Sequence, residues 1–451
     1  MLGLLNRSTR LRALSPFHRG AASTLLTDFG ARGLSALTVV VLIRFLSVSD
    51  YAFVVVFWAV GQFVGSAATG GLRMLYVRTE AERVSRGSST TQLPFATVLA
   101  GGMVLIAALA VGGLVVTTLA GIGTARQRLE LIGLCVAFSM GQAMVDLTTY
   151  HYQAHLAFVK GGLVNVARSA MLLIAALTTA VLLTSSGVIT AAAIAGASII
   201  AGSIAAGRII ASMRNQVRVR GARLGIGAES IWLTVYSLVA TGFATVDVFI
   251  VAIILNTTDI ATFGAAQRYY AIALGAAPAL GSVLRVRTAQ ADILDSADTQ
   301  VAVLRTWIMR GTAPTFVLLL FLGLVAQPVI PLIDQGRYPT SVPVFQILLV
   351  GVFAYYLTLP AVNLLMAQGR YRALAIAFGA AFALNAIGDF VVGPTIGVIG
   401  IAIIATVVLV GLSGLVARMA LSPKLVSERA EQLVLSIQHA APQVNAKVGD
   451  T

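Results

Sequence analysis

Apolar residues run through this chain in twelve stretches, each of a length that crosses a membrane as a helix. A membrane-spanning helix needs about 20 predominantly apolar residues, and such stretches recur from residue 21 to residue 418 with short polar breaks between them. The pattern predicts an all-α polytopic membrane protein with helices at 21–45, 50–72, 94–119, 129–150, 161–183, 188–210, 229–255, 259–284, 311–333, 342–366, 372–393 and 396–418.

The composition supports this prediction, because 58% of the 451 residues are hydrophobic and only 11% are charged. A soluble protein of that composition would leave long apolar runs exposed to water. The charges are also unevenly placed. If the N-terminus is cytoplasmic, most of the 31 Lys and Arg fall in predicted cytoplasmic segments, and the predicted outer segments hold only Arg44, Arg126, Arg128 and Arg337.

Cytoplasmic loops of membrane proteins carry an excess of Lys and Arg. The distribution therefore predicts a multi-pass protein of the cytoplasmic (inner) membrane with both termini in the cytoplasm. It also accounts for the net charge of +14 without nucleic acid as a partner.

Two pairs of matching segments indicate that the second half of the chain repeats the first. Asp50 follows the first predicted helix as Asp259 follows the seventh, and Ala154 ends the fourth as Ala367 ends the tenth. Six helices in each half keep the repeats parallel. We therefore expect two parallel six-helix lobes around a central cavity. The N-terminal lobe would comprise residues 21–210 and the C-terminal lobe residues 229–420, joined by a cytoplasmic linker at 211–228. Residues 1–20 and 421–451 would be the cytoplasmic N-terminus and tail.

Ionisable residues fall inside the predicted helices, where they are costly and usually face a bundle interior or a wet cavity. They are Asp28, Arg32, Asp146, Arg168, Asp247 and Arg268. Each Arg lies at a depth similar to that of an Asp, so they could form three ion pairs that join helices. Alternatively, at least one Arg faces a central cavity and binds an anion, because a guanidinium recognises phosphate through paired hydrogen bonds. The sequence leaves both interpretations open.

Polar side chains also recur on single faces of three predicted helices. The second helix carries Trp58, Gln62, Ser66 and Thr69, the fourth Ser139, Gln142, Asp146, Thr149 and Gln153, and the seventh Ser237, Thr241 and Thr245. Residues three and four apart share a helix face. Single Ser or Thr residues usually mediate helix packing, but a continuous polar face indicates contact with water, and Trp58 could stack on a sugar ring.

Several catalytic signatures are missing from the sequence. It contains no Walker loop and no Gly-x-Ser-x-Gly nucleophile elbow, and no predicted outer loop is long enough for an extracytoplasmic active site. The four histidines form no metal-binding constellation in the sequence, and His151 and His155, although one helical turn apart, lie at a predicted cytoplasmic helix end. We therefore predict a protein that is not an enzyme and that has no metal site and no cofactor.

Four short segments resemble a known family, and the resemblance that they indicate covers most of the chain, roughly residues 25–420. Residues 45–53 (FLSVSDYAF) resemble the signature that closes the first helix of polysaccharide flippases, and 264–270 (GAAQRYY) resemble the start of their eighth helix. Residues 335–348 and 396–406 are similar to their entries into helices ten and twelve. The family is the polysaccharide-transporter branch of the multidrug/oligosaccharidyl-lipid/polysaccharide (MOP) exporter superfamily.

The resemblance implies a flippase that moves an undecaprenyl-pyrophosphate-linked oligosaccharide across the membrane by alternating access, for surface polysaccharide biosynthesis. Its partners would be that glycan lipid, membrane lipids and other polysaccharide assembly proteins, and the protein would be a monomer. Arg32 and Arg268 match the positions that hold the pyrophosphate in the family. We group Asp28, Arg168, Gln62 and Trp58 with them as substrate-binding candidates, and Asp146 and Asp247 as ion-pair or coupling candidates.

The chain departs from the family at three positions. Ala52 and Ile260 replace a Gly and a Tyr of the signature, and Gln62 stands where the lipid II branch, which usually has fourteen helices, has an Arg. Lipid II is therefore not the expected cargo. Two alternatives remain. One is a drug or metabolite antiporter of the same superfamily, which Asp28 and Asp146 keep open because such antiporters use acidic cavity residues. The other is a membrane polymerase or ligase.

Overall fold

The computed structural model describes residues 16–85, 94–119, 125–155, 157–183, 186–213, 228–274 and 297–421, and these ranges contain helices and no strand. The helices are α1 (Pro16–Phe45), α2 (Val48–Ser85), α3 (Phe95–Leu119), α4 (Ala125–Ala154), α5 (Phe158–Leu177), α6 (Gly187–Ser212), α7 (Ala228–Ile254), α8 (Thr257–Ala273), α9 (Ala297–Asp334), α10 (Ser341–Ala367), α11 (Tyr371–Ile396) and α12 (Val398–Leu421). A π-helical segment, Thr178–Leu183, extends α5.

The prediction of an all-α membrane protein with about twelve spanning helices is confirmed. Ten of the helices are long and apolar enough, within the described residues, to cross a membrane. The eighth predicted helix, 259–284, is described only as far as the end of α8, and the rest of it lies outside the described residues. Most of the predicted linker 211–228 and nearly all of the tail 421–451 lie outside them as well.

The second helix of each half begins with the same kind of cap. The Asp50 backbone N–H donates to Ser47 Oγ (3.1 Å), and the Asp259 N–H donates to Asn256 Oδ1 (3.0 Å). A side-chain oxygen three residues before these N–H groups satisfies a donor that the helix itself leaves unpaired. The two aspartates that indicate a repeat in the sequence therefore occupy equivalent positions in the structure.

The packing of the helices repeats in the same way. In the N-terminal half (α1–α6), α1 packs on α5, α4 on α6 and α2 on α4. In the C-terminal half (α7–α12), α7 packs on α11, α10 on α12 and α8 on α10. Each contact in one half has its counterpart six helices later, as expected for two similar lobes. The residue boundaries proposed for the lobes stay a prediction.

The hydrophobic core differs between the two ends of the bundle. We call the end near Ser85, Ala154 and Ser212 the basic end, and the end near Phe45 and Ile254 the opposite end. At the opposite end, one continuous core joins residues of both halves, including Leu42, Phe57, Phe138, Val251, Tyr269 and Val352. Toward the basic end the buried residues separate mainly into one cluster in each half. The halves are thus joined at the opposite end and diverge toward the basic end.

Polar contacts reinforce the closure at the opposite end. Arg337, in the turn between α9 and α10, donates from Nη1 to the backbone oxygen of Ile43 (2.8 Å), and Arg44 donates from Nη2 to Leu332 O (3.4 Å). The Tyr51 ring of α2 packs on Tyr338 with ring centroids 5.9 Å apart. These contacts connect the N-terminal half to the C-terminal half across the closed end.

Toward the basic end the halves stay in contact mainly through α2 and α7. A Cβ added at Gly71 would lie 2.1 Å from Thr234 Oγ1 and 2.8 Å from its Cα, and one added at Gly70 would lie 1.7 Å from Ser237 Oγ. All three separations are shorter than real Cβ contacts, so these glycines allow the two helices to approach closely. This approach closes one side of the space between the halves.

Candidate functional site

Two adjoining cavities lie where the halves diverge. The central cleft, about 460 Å³, is lined by residues of α2, α7 and α8. The second cavity, which we call the C-terminal pocket, measures about 390 Å³ and is lined by α7, α8, α10, α11 and α12, with Arg32 contributed by α1. The cavities share one wall, which includes Tyr236, Gln267 and Tyr270.

Arg268 lines the central cleft, close to the core of the opposite end. Its guanidinium carbon lies 4.5 Å from the centroid of the Trp58 ring, so the indole supports the cation from one side. No carboxylate of the described residues lies within 4.0 Å of it. The ion pair with Asp247 that the sequence left open does not form, and Arg268 presents a positive charge to the cleft.

Arg32 and Gln62 are the other predicted binding residues that reach the cavities. Arg32 borders the C-terminal pocket and Gln62 the central cleft. The side chain of Asp28 lies outside the described residues, so its predicted proximity to Arg32 stays a prediction. Trp58 contributes through its contact with Arg268.

Asp146 pairs with an arginine that the sequence did not indicate. Arg73 Nη1 lies 3.1 Å from Asp146 Oδ2, and Gln142 Nε2 donates to the other oxygen at 2.9 Å. Arg73 lies just beyond the predicted second span, 50–72, but the structure places it within α2, where it lines the central cleft. The Asp146 carboxylate therefore offsets the charge of the Arg73 guanidinium, and the pair adds little net charge to the cleft.

Arg168 lies away from both cavities. Its Nε donates to Ser198 Oγ (3.3 Å), and its guanidinium carbon is 5.3 Å from the Phe138 ring centroid. It forms no ion pair with Asp146 within 4.0 Å. The structure thus places this residue in the packing between α4, α5 and α6, and its assignment to substrate binding has no geometric support.

Asp247 belongs to a buried acidic cluster between α7 and α11. It is 8% exposed and accepts a hydrogen bond from Asn385 Nδ2, and Asp389, one turn further along α11, is fully buried. Asp389 adjoins Asp247, and neither oxygen of Asp389 has a hydrogen-bond donor among the described residues. Two adjacent buried carboxyl groups cannot both stay ionised without a cation or a shared proton.

The sequence allowed two roles for the polar helix faces, contact with water or helix packing, and different faces have different roles in the structure. Gln62 and Ser66 of α2 and Ser237, Thr241 and Thr245 of α7 line the central cleft, in agreement with a face that meets water. The polar face of α4 does not line either cavity. Its Ser139 donates to Gly61 O (2.8 Å) and its Thr149 lies against α5, so this face mediates helix packing.

The sequence contains one signal for the acidic cluster. Asn385 and Asp389 are four residues apart within an otherwise apolar predicted helix, and therefore share a face. An Asp inside a span is by itself a candidate functional residue. No local signal distinguishes Arg73, because it lies at the boundary between an apolar run and a basic segment.

The side of the molecule between α1 and α8 is less tightly packed than the side between α2 and α7. From Thr38 to Ile43, α1 contributes several buried residues to the bundle, but Leu26, Phe29, Gly30 and Gly33, nearer the basic end, are exposed. Ala271 and Ile272 of α8 are exposed as well. These residues of α1 and α8 therefore lie on the surface of the described part of the bundle.

Comparison of the chain with known proteins gives matches in structure alone. No known protein family and no curated protein matches its sequence. An inward-facing multidrug resistance MATE family transporter of the MOP superfamily is similar at 13% identity over 91% of this chain and 99% of its own, with a TM-score of 0.67. The lipid II flippase MurJ in an inward closed conformation is similar at 14% identity over 88% of this chain and 87% of its own, with a TM-score of 0.63.

A third similar structure is a MOP superfamily transporter from Pyrococcus furiosus, described as having a binding pocket of reverse polarity that suggests a different function. It is 13% identical over 92% of this chain and 96% of its own, with a TM-score of 0.61. At these identities the likeness is one of fold. The chain is a multi-pass membrane protein with the two-lobed fold of the MOP superfamily transporters.

Proposed function

We propose that this protein is a flippase that moves a lipid-linked oligosaccharide, carried on a polyprenyl pyrophosphate, across the cytoplasmic membrane for surface polysaccharide biosynthesis. The observation that carries the proposal is Arg268, a cation in the wall of the central cleft with no carboxylate partner among the described residues. A buried charge without a partner is costly, and an anionic ligand would offset that cost.

The chemistry of a pyrophosphate matches this cavity. Guanidinium groups bind phosphate oxygens through paired hydrogen bonds, and Arg268 and Arg32 line the two adjoining cavities. The hydroxyl-bearing face of α7 and the amides of Gln62 and Gln267 offer hydrogen bonds to sugar hydroxyls. The MurJ neighbour, described as a lipid II flippase, is consistent with a pyrophosphate-linked cargo.

The position of the cavities within the helical bundle suits a lipid as the carrier. A polyprenyl chain is apolar, so it can stay in the bilayer while its headgroup enters the cavity. Arg32 and Arg268 would then both contact the headgroup. Rocking of one half against the other would then expose the headgroup at the opposite end.

The acidic cluster offers a means of coupling transport to an ion gradient. Asp247 lines the C-terminal pocket and adjoins the buried Asp389. A proton or a monovalent cation bound between the two carboxyl groups would remove their repulsion and draw α7 and α11 together. Because α7 forms the lobe contact with α2, the occupancy of this cluster would bias the angle between the halves.

The test is the amount of cell-surface polysaccharide in a strain that lacks this protein, complemented with the wild type, Arg268→Ala, Arg32→Ala or the matched control Arg168→Ala. We expect glycan to be lost in the first two variants and retained in the control, at equal protein levels in the membrane. Normal glycan in both cavity variants would overturn the assignment.

A second candidate function, a drug or metabolite antiporter, is favoured by the acidic cluster and by the MATE neighbour. An antiporter for cationic drugs would require carboxylates in the cavity, and Asp247 borders the C-terminal pocket. Expression of the protein in a drug-sensitive host distinguishes the two functions. Increased resistance to cationic dyes that is abolished by Asp247→Asn would favour the antiporter, and unchanged resistance would favour the flippase.

A further inference from the structure

A cluster of metal-ligating side chains lies at the basic end of the N-terminal half, away from both cavities. It consists of Glu80 from α2 and His151 and His155 from α4. One potential ligand atom from each residue lies within 4.8 Å of the other two, and His155 Nε2 is 2.9 Å from Glu80 Oε1. Glu80 is 3% exposed and His151 is 8% exposed, so two of the three groups are withdrawn from water.

We propose that Glu80, His151 and His155 form a binding site for a divalent transition-metal ion of the Zn²⁺ class. Two His residues at i and i+4 on one helix face are a recurrent metal-binding arrangement, and a carboxylate oxygen completes a set of three protein ligands. The third ligand, Glu80, is distant along the chain from the two histidines, and the packing of α2 on α4 brings it beside them.

The separations between the groups fit tetrahedral coordination after small side-chain rotations. Zn–N bonds of about 2.0–2.1 Å and Zn–O bonds of similar length place neighbouring ligand atoms about 3.3 Å apart. The His155–Glu80 distance of 2.9 Å is slightly shorter than this, and the longest separation in the cluster is no more than 4.8 Å. Rotation of the side chains therefore brings all three groups to one ion, and the helices need not move.

A second residue of α2 orients one of the proposed ligands. Tyr76 lies one turn before Glu80, and its hydroxyl is 2.6 Å from His151 Nδ1. Metal-binding histidines almost always use their other ring nitrogen in a hydrogen bond of this kind, which fixes the ring and the tautomer. The contact holds the His151 ring in place beside Glu80 and His155.

The fourth coordination position faces water. The side chain of His155 is 31% exposed, in contrast to the other two residues. A water molecule at this position would complete a tetrahedral N₂O₂ set. Imidazole and carboxylate ligands together suit Zn²⁺ and its neighbours in the first transition series better than Mg²⁺ or Ca²⁺, which prefer oxygen ligands alone.

The bound ion would fasten the basic ends of α2 and α4 to each other. The Arg73–Asp146 pair joins the same two helices about two turns deeper, beside the central cleft. Because α2 also contacts α7, its basic end would be fixed to its own half while the other half moves. The site is thus structural, and its occupancy is independent of the cargo.

The test is metal uptake by the full-length protein in detergent, purified with a peptide tag that contains no histidine and washed with chelator. After dialysis against Zn²⁺, we expect about one ion per chain by elemental analysis. Co²⁺ in its place should give the intense visible absorption of a tetrahedral complex. Glu80→Gln and His155→Gln should each lower Zn²⁺ affinity more than roughly 100-fold, and Tyr76→Phe by roughly 10- to 100-fold, the range for loss of a supporting hydrogen bond.

The matched control replaces the other two histidines of the chain, with His18→Asn and His439→Asn in one variant, which should bind Zn²⁺ like the wild type. Size-exclusion profiles and melting temperatures without metal identify any variant that has lost its fold. Zn²⁺ should raise the melting temperature of the wild type and of the control but not that of Glu80→Gln. A wild type that takes up no Zn²⁺, or equal binding by well-folded Glu80→Gln and His155→Gln, would overturn the proposal.

Discussion

Substitution of Arg268 gives the sharpest test of ligand binding, because it should change the free energy of unfolding little but weaken the binding of an anionic ligand strongly. In the structure its main direct partner is the Trp58 ring at 4.5 Å. A partly buried cation–π contact contributes about 1–2 kcal/mol. Arg268→Met removes that contribution but also relieves the cost of a buried charge without a carboxylate partner. The free energy of unfolding should therefore change little.

The affinity for an anionic ligand should change strongly. Hydrogen bonds to charged groups contribute about 1.5–3 kcal/mol each, so loss of one such bond to a pyrophosphate weakens binding by roughly 10- to 150-fold, at about 1.4 kcal/mol for each factor of ten. Arg268→Lys keeps the charge but loses the planar fork and its stacking on Trp58. We expect it to bind more weakly than the wild type and more tightly than Arg268→Met.

The assay is isothermal titration calorimetry of the purified protein in detergent with geranylgeranyl pyrophosphate, a short soluble analogue of the carrier. Arg168→Met is the matched control, since Arg168 is also an arginine within the helical bundle and contacts an aromatic ring, but lies outside both cavities. Equal affinity in Arg268→Met and the wild type would refute the reasoning. Equal losses in Arg268→Met and Arg168→Met would do so as well, because the effect would then not arise in the cavity.

Two further predictions concern the movement of the halves. Asp389→Asn removes one of two adjoining buried carboxyl groups. We therefore expect transport in proteoliposomes to lose its dependence on an imposed ion gradient, while the melting temperature is unchanged or higher. A gradient dependence like that of the wild type would contradict this. Gly71→Val places methyl groups against Thr234, so we expect α2 and α7 to separate at the basic end and transport to fall at normal protein levels. The separation should be measurable as slower crosslinking of a cysteine pair across this contact. The control is Gly33→Val, at a glycine with open space around it.

The sequence was sufficient for the number and type of the helices and for the internal repeat. A membrane span is recognised from the hydropathy of about 20 consecutive residues, so a single Arg or Asp within that stretch does not hide the span. The repeat was readable because Asp50 and Asp259 each lie at the start of a helix, where the cap is formed by residues only three positions away. These are local properties of the chain.

The functional site could be predicted only in part. The sequence gives the depth of a charged residue in the membrane but not the direction in which its side chain points. Of the arginines that the sequence places inside the membrane, Arg32 and Arg268 line the two cavities, whereas Arg168 faces the packing between helices of its own half. The choice between cavity and packing depends on the rotation of each helix about its own axis, which neighbouring helices determine.

Tertiary structure alone decided which partners meet. Arg73 pairs with Asp146, and Glu80 reaches His155, because α2 lies along α4 and each pair is separated by more than seventy residues of sequence. The depth of a residue follows from its position in an apolar run, so the sequence by itself determined the membrane fold of this protein. Pairing follows from which helix faces touch, and that is set by close packing of the whole bundle. For this reason the charge of the cleft, the acidic cluster and the proposed metal site became visible only in three dimensions.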